Sequence, residues 1–251
     1  MADLLIDIGN SRIKWALSHA GKLFAHGAAE YAGAVPAEIN QAWLVVEPPV
    51  RVIAANVAGE VYAQVLNDWV QGQWQLEVEF VVVDPDCKKI ALAYPDASKF
   101  GVDRWLALIA ARDLSSADVV VIDAGTAVTV DILSAHGQHL GGIIVPGLRL
   151  MRQSLQQKSS AIQQGLSTLT KVKPALLGSD TSSGIANGGL YAVAGAIEHL
   201  LTRVEKQTGA RPSVIISGGD AEVVRAELTI KSQYVPDLVL LGMQILEGVC
   251  E

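Results

Sequence analysis

The sequence predicts an α/β protein built from two related halves. Two observations predict this fold class: a turn motif that occurs twice, and an order of strands and helices that occurs twice. The copies of the motif are Asp7-Ile8-Gly9-Asn10-Ser11 and Asp123-Ala124-Gly125-Thr126-Ala127. The flanking residues match too, at Leu17-Ser18 with Gly21 and at Leu133-Ser134 with Gly137. Shared flanks in register indicate a duplication, because two coincidental turns would not be expected to have them.

Each copy of the motif places a carboxylate and a glycine at the end of a strand. The β-rich runs Leu4–Ile6 and Val119–Ile122 lead directly into the two turns. Glycine has no Cβ, so the backbone amides of such a turn can approach a ligand closely. Amide and hydroxyl donors suit phosphate oxygens, and carboxylates suit the metal ion that accompanies them. Two such turns facing each other across a cleft would form a nucleotide site shared by the halves.

The first half, residues 1–115, is predicted to begin with a three-stranded meander. Its strands are Leu4–Ile8, Lys14–Leu17 and Leu23–His26, with a turn at Ala20-Gly21-Lys22. A strand–helix–strand unit follows, which implies a parallel pair of strands joined by a crossover. The members of this unit are Arg51–Ala55, Val57–Trp74 and Val78–Val83. Asp84–Ala97, rich in proline and aspartate, is predicted to be a loop before a helix at Asp103–Leu114.

The second half, residues 116–251, is predicted to repeat this order. The expected strands are Val119–Asp123, Val128–Leu133, His139–Val145 and Val214–Ser217. The expected helices are Leu148–Gln163, Ser182–Gln207, Ala221–Leu228 and Leu238–Val249. Apolar residues in the second of these helices follow the 3.6-residue period and form a continuous face. Gln164–Ser179, with Gly165, Pro174 and Gly178, is predicted to be a mobile loop or lid.

Composition excludes several classes of function. Half of the 251 residues are hydrophobic, yet no apolar run approaches the roughly 18 residues that span a bilayer. Asp3 and Asp7 interrupt the first apolar segment, so we expect a cytoplasmic protein without a secretory leader or membrane contact. A net charge of −7 without a basic stripe disfavours a nucleic acid as partner.

The cysteines and histidines do not have the spacing of metal ligands. The two cysteines, Cys87 and Cys250, are expected to have unpaired structural or surface roles. The five histidines are expected at surface positions: His19, His26, His136, His139 and His199.

Five segments occur in an order that is typical of one enzyme family. They are Asp7 to Trp15, Tyr94-Pro95 with Gly101 to Arg104, Asp123 to Ala127 with Thr129 and Asp131, Gly141 to Gly147, and Thr181 to Gly188. Together they resemble the motifs of type III pantothenate kinases, members of the sugar kinase, Hsp70 and actin superfamily. The resemblance implies an α/β fold with two duplicated ribonuclease H-like (actin-like ATPase) halves around a nucleotide cleft.

The resemblance also implies an activity and its residues. The reaction would be ATP-dependent phosphorylation of pantothenate to 4′-phosphopantothenate, the first step of coenzyme A biosynthesis. By resemblance, ATP would be contacted by Asp7, Ile8, Gly9, Asn10, Ser11, Arg12, Ile13, Lys14 and Thr126. Asp7 would also serve Mg²⁺, and Asp123 would hold a monovalent cation, K⁺ or NH₄⁺. Pantothenate would be contacted by Tyr94, Gly101, Val102, Asp103, Arg104 and Thr181.

In that family the substrate pocket lies at a homodimer interface. Charged residues make up only 18% of the chain, which leaves more apolar surface than a monomer of this size needs. We therefore expect a homodimer whose interface uses the apolar face of the Ser182–Gln207 helix, which directly follows Thr181.

Asp103 has two interpretations. As a helix cap it would contribute only about 1 kcal/mol to stability. As a catalytic base it would accept the proton of the substrate hydroxyl and orient the oxygen for in-line attack. Arg104 beside it could bind a carboxylate or a developing phosphate charge in a bidentate way. The resemblance favours the catalytic interpretation.

Three other features also have two interpretations. Lys14 is either a solvated strand residue or a counter-charge for phosphate. Gly141-Gly142 and Pro146-Gly147 either form turns and close packing or place a helix N-terminus near an anion. Ser217-Gly218-Gly219-Asp220 ends a strand, and in this superfamily that corner lies near the nucleotide base.

Three positions depart from the family pattern. Ser11 replaces the usual Thr, which keeps the hydroxyl. Asp180 occurs where Asn is common, so it must point away from the substrate carboxylate or be offset by Arg104. Phe100 replaces Leu, for which we expect a minor packing change. Two alternative functions remain: a kinase of the same superfamily acting on a sugar or another small alcohol, and a non-catalytic regulatory protein that kept the fold.

Overall fold

The computed structural model describes residues 2–30, 34–157 and 176–247, and these form two compact units. The first unit comprises Met1–Ser116, Gly137–His139 and Asp237–Glu251. The second comprises Ala117–His136 and Leu140–Pro236. No helix in the described ranges is both long and apolar enough to cross a membrane.

The sheet of the first unit contains the predicted meander and crossover. Its strands are β1 (Asp3–Ile8), β2 (Arg12–His19), β3 (Lys22–Glu30), β4 (Val52–Asn56) and β5 (Val78–Phe80). They lie in the order β3-β2-β1-β4-β5. The pairs β1/β2 and β2/β3 are antiparallel, whereas β1/β4 and β4/β5 are parallel. The carboxyl end of β1, where Asp7 lies, is therefore at the centre of the sheet.

The sheet of the second unit has the same order. Its strands are β6 (Val119–Ala124), β7 (Ala127–Leu133), β8 (His139–Pro146), β9 (Ser213–Ser217) and β10 (Gln233–Tyr234), arranged β10-β9-β6-β7-β8. β6 pairs with β7 antiparallel and with β9 parallel, as β1 does with β2 and β4. In both sheets the first strand is central, with the next two strands on one side and the last two on the other. This equivalence confirms the duplicated halves.

Seven α-helices accompany the sheets in the described ranges. They are α1 (Ala37–Leu44), α2 (Glu60–Trp74), α3 (Val102–Leu114), α4 (Leu148–Gln157), α5 (Thr181–Thr208), α6 (Ala221–Glu227) and α7 (Leu238–Glu247). The sequence did not predict α1, β10 or the short 3₁₀ turn at Ala97–Lys99. Residues 158–163 of the predicted helix Leu148–Gln163, 164–175 of the predicted lid and 248–249 of the last predicted helix lie outside the described residues.

Tryptophan dominates one side of the first unit's core. The ring centroids of Trp43 and Trp69 are 5.1 Å apart, and those of Trp69 and Trp74 are 4.9 Å apart. Trp15 on β2 completes the cluster, 6.3 Å from Trp43. Trp43 is fully buried and explains why α1 folds: its large apolar ring is covered by two neighbouring elements.

The core of the second unit corrects one prediction. The apolar face of α5 packs against β6, β7 and β9 of its own unit, through Leu190, Val193, Ile197 and Leu201. Because that face is buried in the core, it cannot also form a dimer interface. The prediction that the interface uses the apolar face of this helix is therefore wrong. The exposed side of α5 instead carries small residues, including Gly184, Gly188, Ala192 and Gly195.

Candidate active site

The first turn motif closes tightly at the end of β1. The Gly9 N–H donates to the carbonyl of Arg12 at 3.0 Å, and a Cβ on Gly9 would lie 3.3 Å from that carbonyl. Asp7 is half-buried and faces Lys14 across the β1/β2 pair. Lys14 is also half-buried. Asn10 and Arg12 are exposed and Ser11 is half-buried.

The second turn motif is one residue shorter than the first. The Gly125 N–H donates to the carbonyl of Ala127 at 3.0 Å, and Asp123 faces Thr129 on β7. Because of this shorter turn, Asp3 pairs with Ser18 whereas Val119 pairs with Leu133. Residues that match in sequence after the turn therefore differ by one position in their strand pairing. The structural evidence for the duplication is the equal strand order and the equivalent position of each Asp near the end of its strand.

Glycines surround the carboxylate of Asp123. At Gly218, where φ is +100°, a Cβ would lie 2.5 Å from Asp123 Oδ1 and collide with the Ala124 carbonyl. At Gly125 a Cβ would lie 3.9 Å from the same carboxylate oxygen. The corner after β9 and the turn after β6 thus leave one side of this half-buried carboxylate clear of side chains.

The glycine-rich segment of β8 makes close contacts rather than turns. A Cβ on Gly142 would collide with the side chain of Asp131 and the carbonyl of Val130. A Cβ on Gly147 would collide with the carbonyls of Gly125 and Thr126, and the Gly147 N–H donates to Thr126 at 3.0 Å. The start of α4 therefore lies directly against the second turn motif, which favours a role near an anionic ligand for that segment.

Asp220 adds a second carboxylate near this turn. Its backbone N–H donates to the carbonyl of Ala124 at 2.9 Å. Burial raises the pKa of the Asp220 carboxyl above its ordinary value, while the positive charges of Arg152 and Arg149 on α4 oppose that rise. The arginines therefore bring positive charge to the same side of the second unit.

Asp103 lies inside α3 rather than at its cap. Gly101 is the N-cap and Val102 the first helical residue, so the interpretation of Asp103 as a helix cap is wrong. The half-buried Asp103 carboxylate accepts the Arg104 N–H at 2.7 Å. A Cβ on Gly101 would lie 2.5 Å from Asp103 Oδ1, so glycine at that position leaves room for the carboxylate. The helix dipole favours its negative charge in this first turn.

Arg104 is buried between two aromatic rings. Arg104 is only 8% exposed. The guanidinium carbon lies 4.4 Å from the centre of the Phe100 ring and 5.8 Å from that of Tyr94. Arg104 Nη1 also donates to the Tyr94 hydroxyl at 3.4 Å. The substitution of Leu by Phe100 is therefore not the minor packing change that the sequence suggested, because the ring holds the guanidinium.

His139 is the largest departure from the sequence predictions at this site. Four histidines are exposed as expected, but His139 is fully buried. Its ring lies 5.0 Å from that of Phe100 and stacks on that of Tyr94 at 6.3 Å. The first unit thus brings Tyr94, Phe100, Arg104 and His139 into one cluster beside Asp103.

Thr181 is the exposed first residue of α5, in the second unit. Asp180 before it is the N-cap and accepts the Ser183 N–H at 2.8 Å. The Ser183 backbone and hydroxyl hydrogen bonds lower the pKa of the Asp180 carboxyl. The Asp180 side chain therefore folds back onto the start of its own helix. Of the two alternatives expected from the sequence, this agrees with a carboxylate that points away from the substrate rather than one offset by Arg104.

Comparison with known proteins identifies related sequences along nearly the whole chain. A family model described as type III pantothenate kinase matches residues 3–203. The type III pantothenate kinase of Nitrosococcus oceani is 37% identical over 247 residues, covering 96% of this chain and 91% of that protein. The type III pantothenate kinase of Thiobacillus denitrificans is 35% identical over 249 residues, with 96% and 94% covered.

Solved structures support the fold. The activator of 2-hydroxyisocaproyl-CoA dehydratase from Clostridium difficile has a TM-score of 0.52 against this chain at 12% identity. The similarity covers 98% of this chain and 94% of that one. At such low identity the likeness shows the fold alone, which is the α/β architecture of two ribonuclease H-like halves.

Proposed function

Because this chain belongs to the type III pantothenate kinase family, we propose that it transfers the γ-phosphoryl group of ATP to the hydroxyl of pantothenate. The product is 4′-phosphopantothenate, and the reaction is the first step of coenzyme A biosynthesis. The observation that carries the proposal is the pairing of a half-buried Asp103 with a buried Arg104 at the start of α3. Both groups argue for a kinase over a non-catalytic protein, because transfer to an alcohol requires a proton acceptor and a positively charged group beside it.

Asp103 is the proposed catalytic base. Transfer to an alcohol requires a group that accepts the hydroxyl proton and aligns the oxygen with the γ-phosphorus. The hydrogen bond from the Arg104 backbone N–H holds the Asp103 carboxylate in place at the start of α3, where it can act as such a group. The close packing of Asp103 Oδ1 against Gly101 fixes the carboxylate at the start of the helix.

Arg104 and Tyr94 are the proposed positioning groups for pantothenate, with Gly101, Val102 and Thr181 as further contacts. The Phe100 and Tyr94 rings orient the guanidinium but supply no counter-charge of their own. In so buried a place, the attraction between that cation and a carboxylate is stronger than in water. Pantothenate carries a carboxylate, which suits this group.

ATP is proposed to bind the two turn motifs, through Asp7 to Lys14 and Thr126. The tight turns at Gly9 and Gly125 support this assignment because they present backbone amides that phosphate oxygens can reach. Lys14, half-buried across from Asp7, would supply a positive charge for the triphosphate.

The residues present fit the two proposed cations. Asp7 and Asp123 each offer a half-buried carboxylate at a strand end, and the residues that pack closest to Asp123 include Gly218, which has no side chain to cover it. In the described ranges, no three His, Cys, Asp or Glu side chains gather into a metal site. Mg²⁺ at Asp7 would then depend on phosphate oxygens and water for its other ligands, which is its usual preference. K⁺ or NH₄⁺ is assigned to Asp123, where it would offset phosphate charge.

We propose a homodimer in which the exposed side of α5 forms the interface. A Cβ added at Gly184, Gly188 or Gly195 would meet nothing within 4 Å, so these positions leave room for close approach by a second helix. The substrate site is proposed to lie near that interface. The cytoplasmic location and the division into halves at residues 115 and 116 also belong to this proposal; the equal strand order of the two sheets supports the division.

A substrate panel tests the proposed function. The purified protein is incubated with ATP, Mg²⁺ and K⁺ and with pantothenate or one of several sugars, and products are identified by mass spectrometry. We expect phosphopantothenate and no sugar phosphate. Phosphorylation of a sugar but not of pantothenate would indicate another kinase of the superfamily. ATP binding without transfer to any alcohol would indicate a regulatory protein.

A further inference from the structure

The side chain of His139 is fully buried. His139 is not among the residues assigned to the reaction. Its ring is nearly parallel to that of Tyr94, with an angle of 21° between the planes and 6.3 Å between the centroids. It meets the Phe100 ring at 56° and 5.0 Å. The imidazole is thus in contact with both rings that hold the Arg104 guanidinium.

The backbone around His139 is fixed to the segment that leads into Tyr94. The Ala91 N–H donates to the Gly137 carbonyl at 2.9 Å, and the His139 N–H donates to the Ala91 carbonyl at 2.9 Å. The Gln138 side chain donates to the same carbonyl at 3.0 Å. Gly137 has a φ of +79°, and a Cβ there would collide with the Lys89 carbonyl. Residues 137–139 therefore form a support for the loop before Tyr94.

The imidazole itself contributes one more bond to this support. Its Nδ1 accepts the N–H of Ala93, the residue before Tyr94, at 3.5 Å. A backbone amide can only donate, so Nδ1 is the acceptor in this contact. The ring and its acceptor atom thus constrain Tyr94 from two directions, through its side chain and through its backbone.

We propose that His139 is a positioning residue for pantothenate. It holds the Tyr94 and Phe100 rings, and these in turn orient the Arg104 guanidinium. The inference rests on the proposed function, which assigns Tyr94 and Arg104 to the substrate. Loss of the imidazole opens space beneath both rings, and misplacement of a binding group by about 1 Å can reduce rates by up to about 100-fold. ATP binding, assigned to other residues, should not depend on His139.

Three variants at this position test the proposal. His139→Ala removes the ring, His139→Leu replaces it with an apolar side chain that cannot stack, and His139→Phe keeps a stacking ring. His136→Ala is the matched control, because that histidine is exposed and lies three residues before His139, on the connection that leads from β7 into β8. The measurements are steady-state KM for pantothenate and for ATP, pantothenate affinity by isothermal titration calorimetry, and thermal unfolding to check the fold.

We expect His139→Ala and His139→Leu to raise the KM and Kd for pantothenate roughly tenfold or more while changing the KM for ATP less than about twofold. His139→Phe should recover most of the loss, and His136→Ala should behave as wild type. If the alanine variant does not fold, the comparison of Leu with Phe decides. The inference is overturned if folded variants bind pantothenate as wild type does, or if Leu and Phe weaken both substrates equally. A wild-type protein that fails to bind pantothenate would overturn the proposed function and this inference together.

Discussion

The guanidinium carbon of Arg104 lies 4.4 Å from the centre of the Phe100 ring, four residues earlier in the chain. Burying a charged side chain is costly unless polar or electrostatic partners compensate for lost water. The ring face supplies part of that compensation, and the Tyr94 hydroxyl supplies a hydrogen bond. Leucine, the usual residue of the family at this position, has no ring face to offer.

Phe100→Leu should therefore weaken pantothenate binding selectively. A cation–π contact at a partly desolvated site contributes about 1 kcal/mol, which corresponds to roughly a fivefold change in Kd. The KM for ATP should stay unchanged. Phe80→Leu, on β5, is the control, since that phenylalanine is 36% exposed. An unchanged pantothenate Kd in Phe100→Leu would mean that the ring does not orient Arg104.

The proposed cation at Asp123 predicts a dependence on the type of salt. At constant ionic strength, wild-type turnover should be higher in K⁺ than in Na⁺. Asp123→Ala should abolish that difference, because the carboxylate would hold the ion beside the triphosphate. Asp86→Ala, an exposed acidic position in the loop before Tyr94, should keep it. Equal wild-type rates in both salts would contradict a monovalent cation site.

Asp220 predicts a pH-dependent change in stability. Burial raises the pKa of this carboxyl, so the folded state binds its proton more tightly than the unfolded state does. Stability should therefore fall as pH rises from the ordinary value of 3.8 through the raised pKa. Asp220→Asn should raise the melting temperature at pH 7, and the gain should vanish in acid.

Asp180 provides a control of opposite sign. Hydrogen bonds from Ser183 lower the pKa of the Asp180 carboxyl, so its stabilisation is present at neutral pH and is lost as pH falls through that lowered pKa. Asp180→Ala should lower the melting temperature at pH 7 and have less effect in acid.

If Asp220→Asn instead destabilises the protein at pH 7, the attraction of Arg149 and Arg152 outweighs burial.

The dimer proposal predicts that assembly and substrate binding change together. Gly188→Arg places a charge on the exposed side of α5, where a Cβ meets nothing within 4 Å of its own chain. Sedimentation velocity should show monomers, and the KM for pantothenate should rise. Gln207→Arg, exposed near the end of the same helix, should remain dimeric. A fully active wild-type monomer would refute the shared site but leave the kinase assignment intact.

Local sequence patterns predicted most of the fold. All strands of both sheets except β10, together with the crossover, follow from alternating or continuous apolar runs, whose faces must be buried. The register after the second turn could not be predicted, because it depends on whether Gly125 bonds to Ala127 or to the next residue. Helix α1 was missed because Pro36 offers no capping side chain and only Ile39 and Trp43 are buried.

The site was predictable in its residue types but less so in its supports. Asp103 and Arg104 stand out because a carboxylate and a guanidinium begin an otherwise apolar helix. The burial of His139 depends on a pairing between residues 137–139 and Ala91, which are distant in sequence and show no local pattern. The N-cap role of Asp180 could have been predicted from the sequence, because an Asp directly before a helix is a common N-cap.

The most direct test of the account compares wild type with Asp103→Asn in phosphopantothenate formation. Asn keeps the size of the side chain but cannot accept the proton, and Asp103 is not the cap of α3. Turnover should therefore fall about 100-fold or more, while the melting temperature and the pantothenate Kd remain close to those of wild type. Near wild-type turnover in the folded variant would contradict the assignment of Asp103 as the catalytic base.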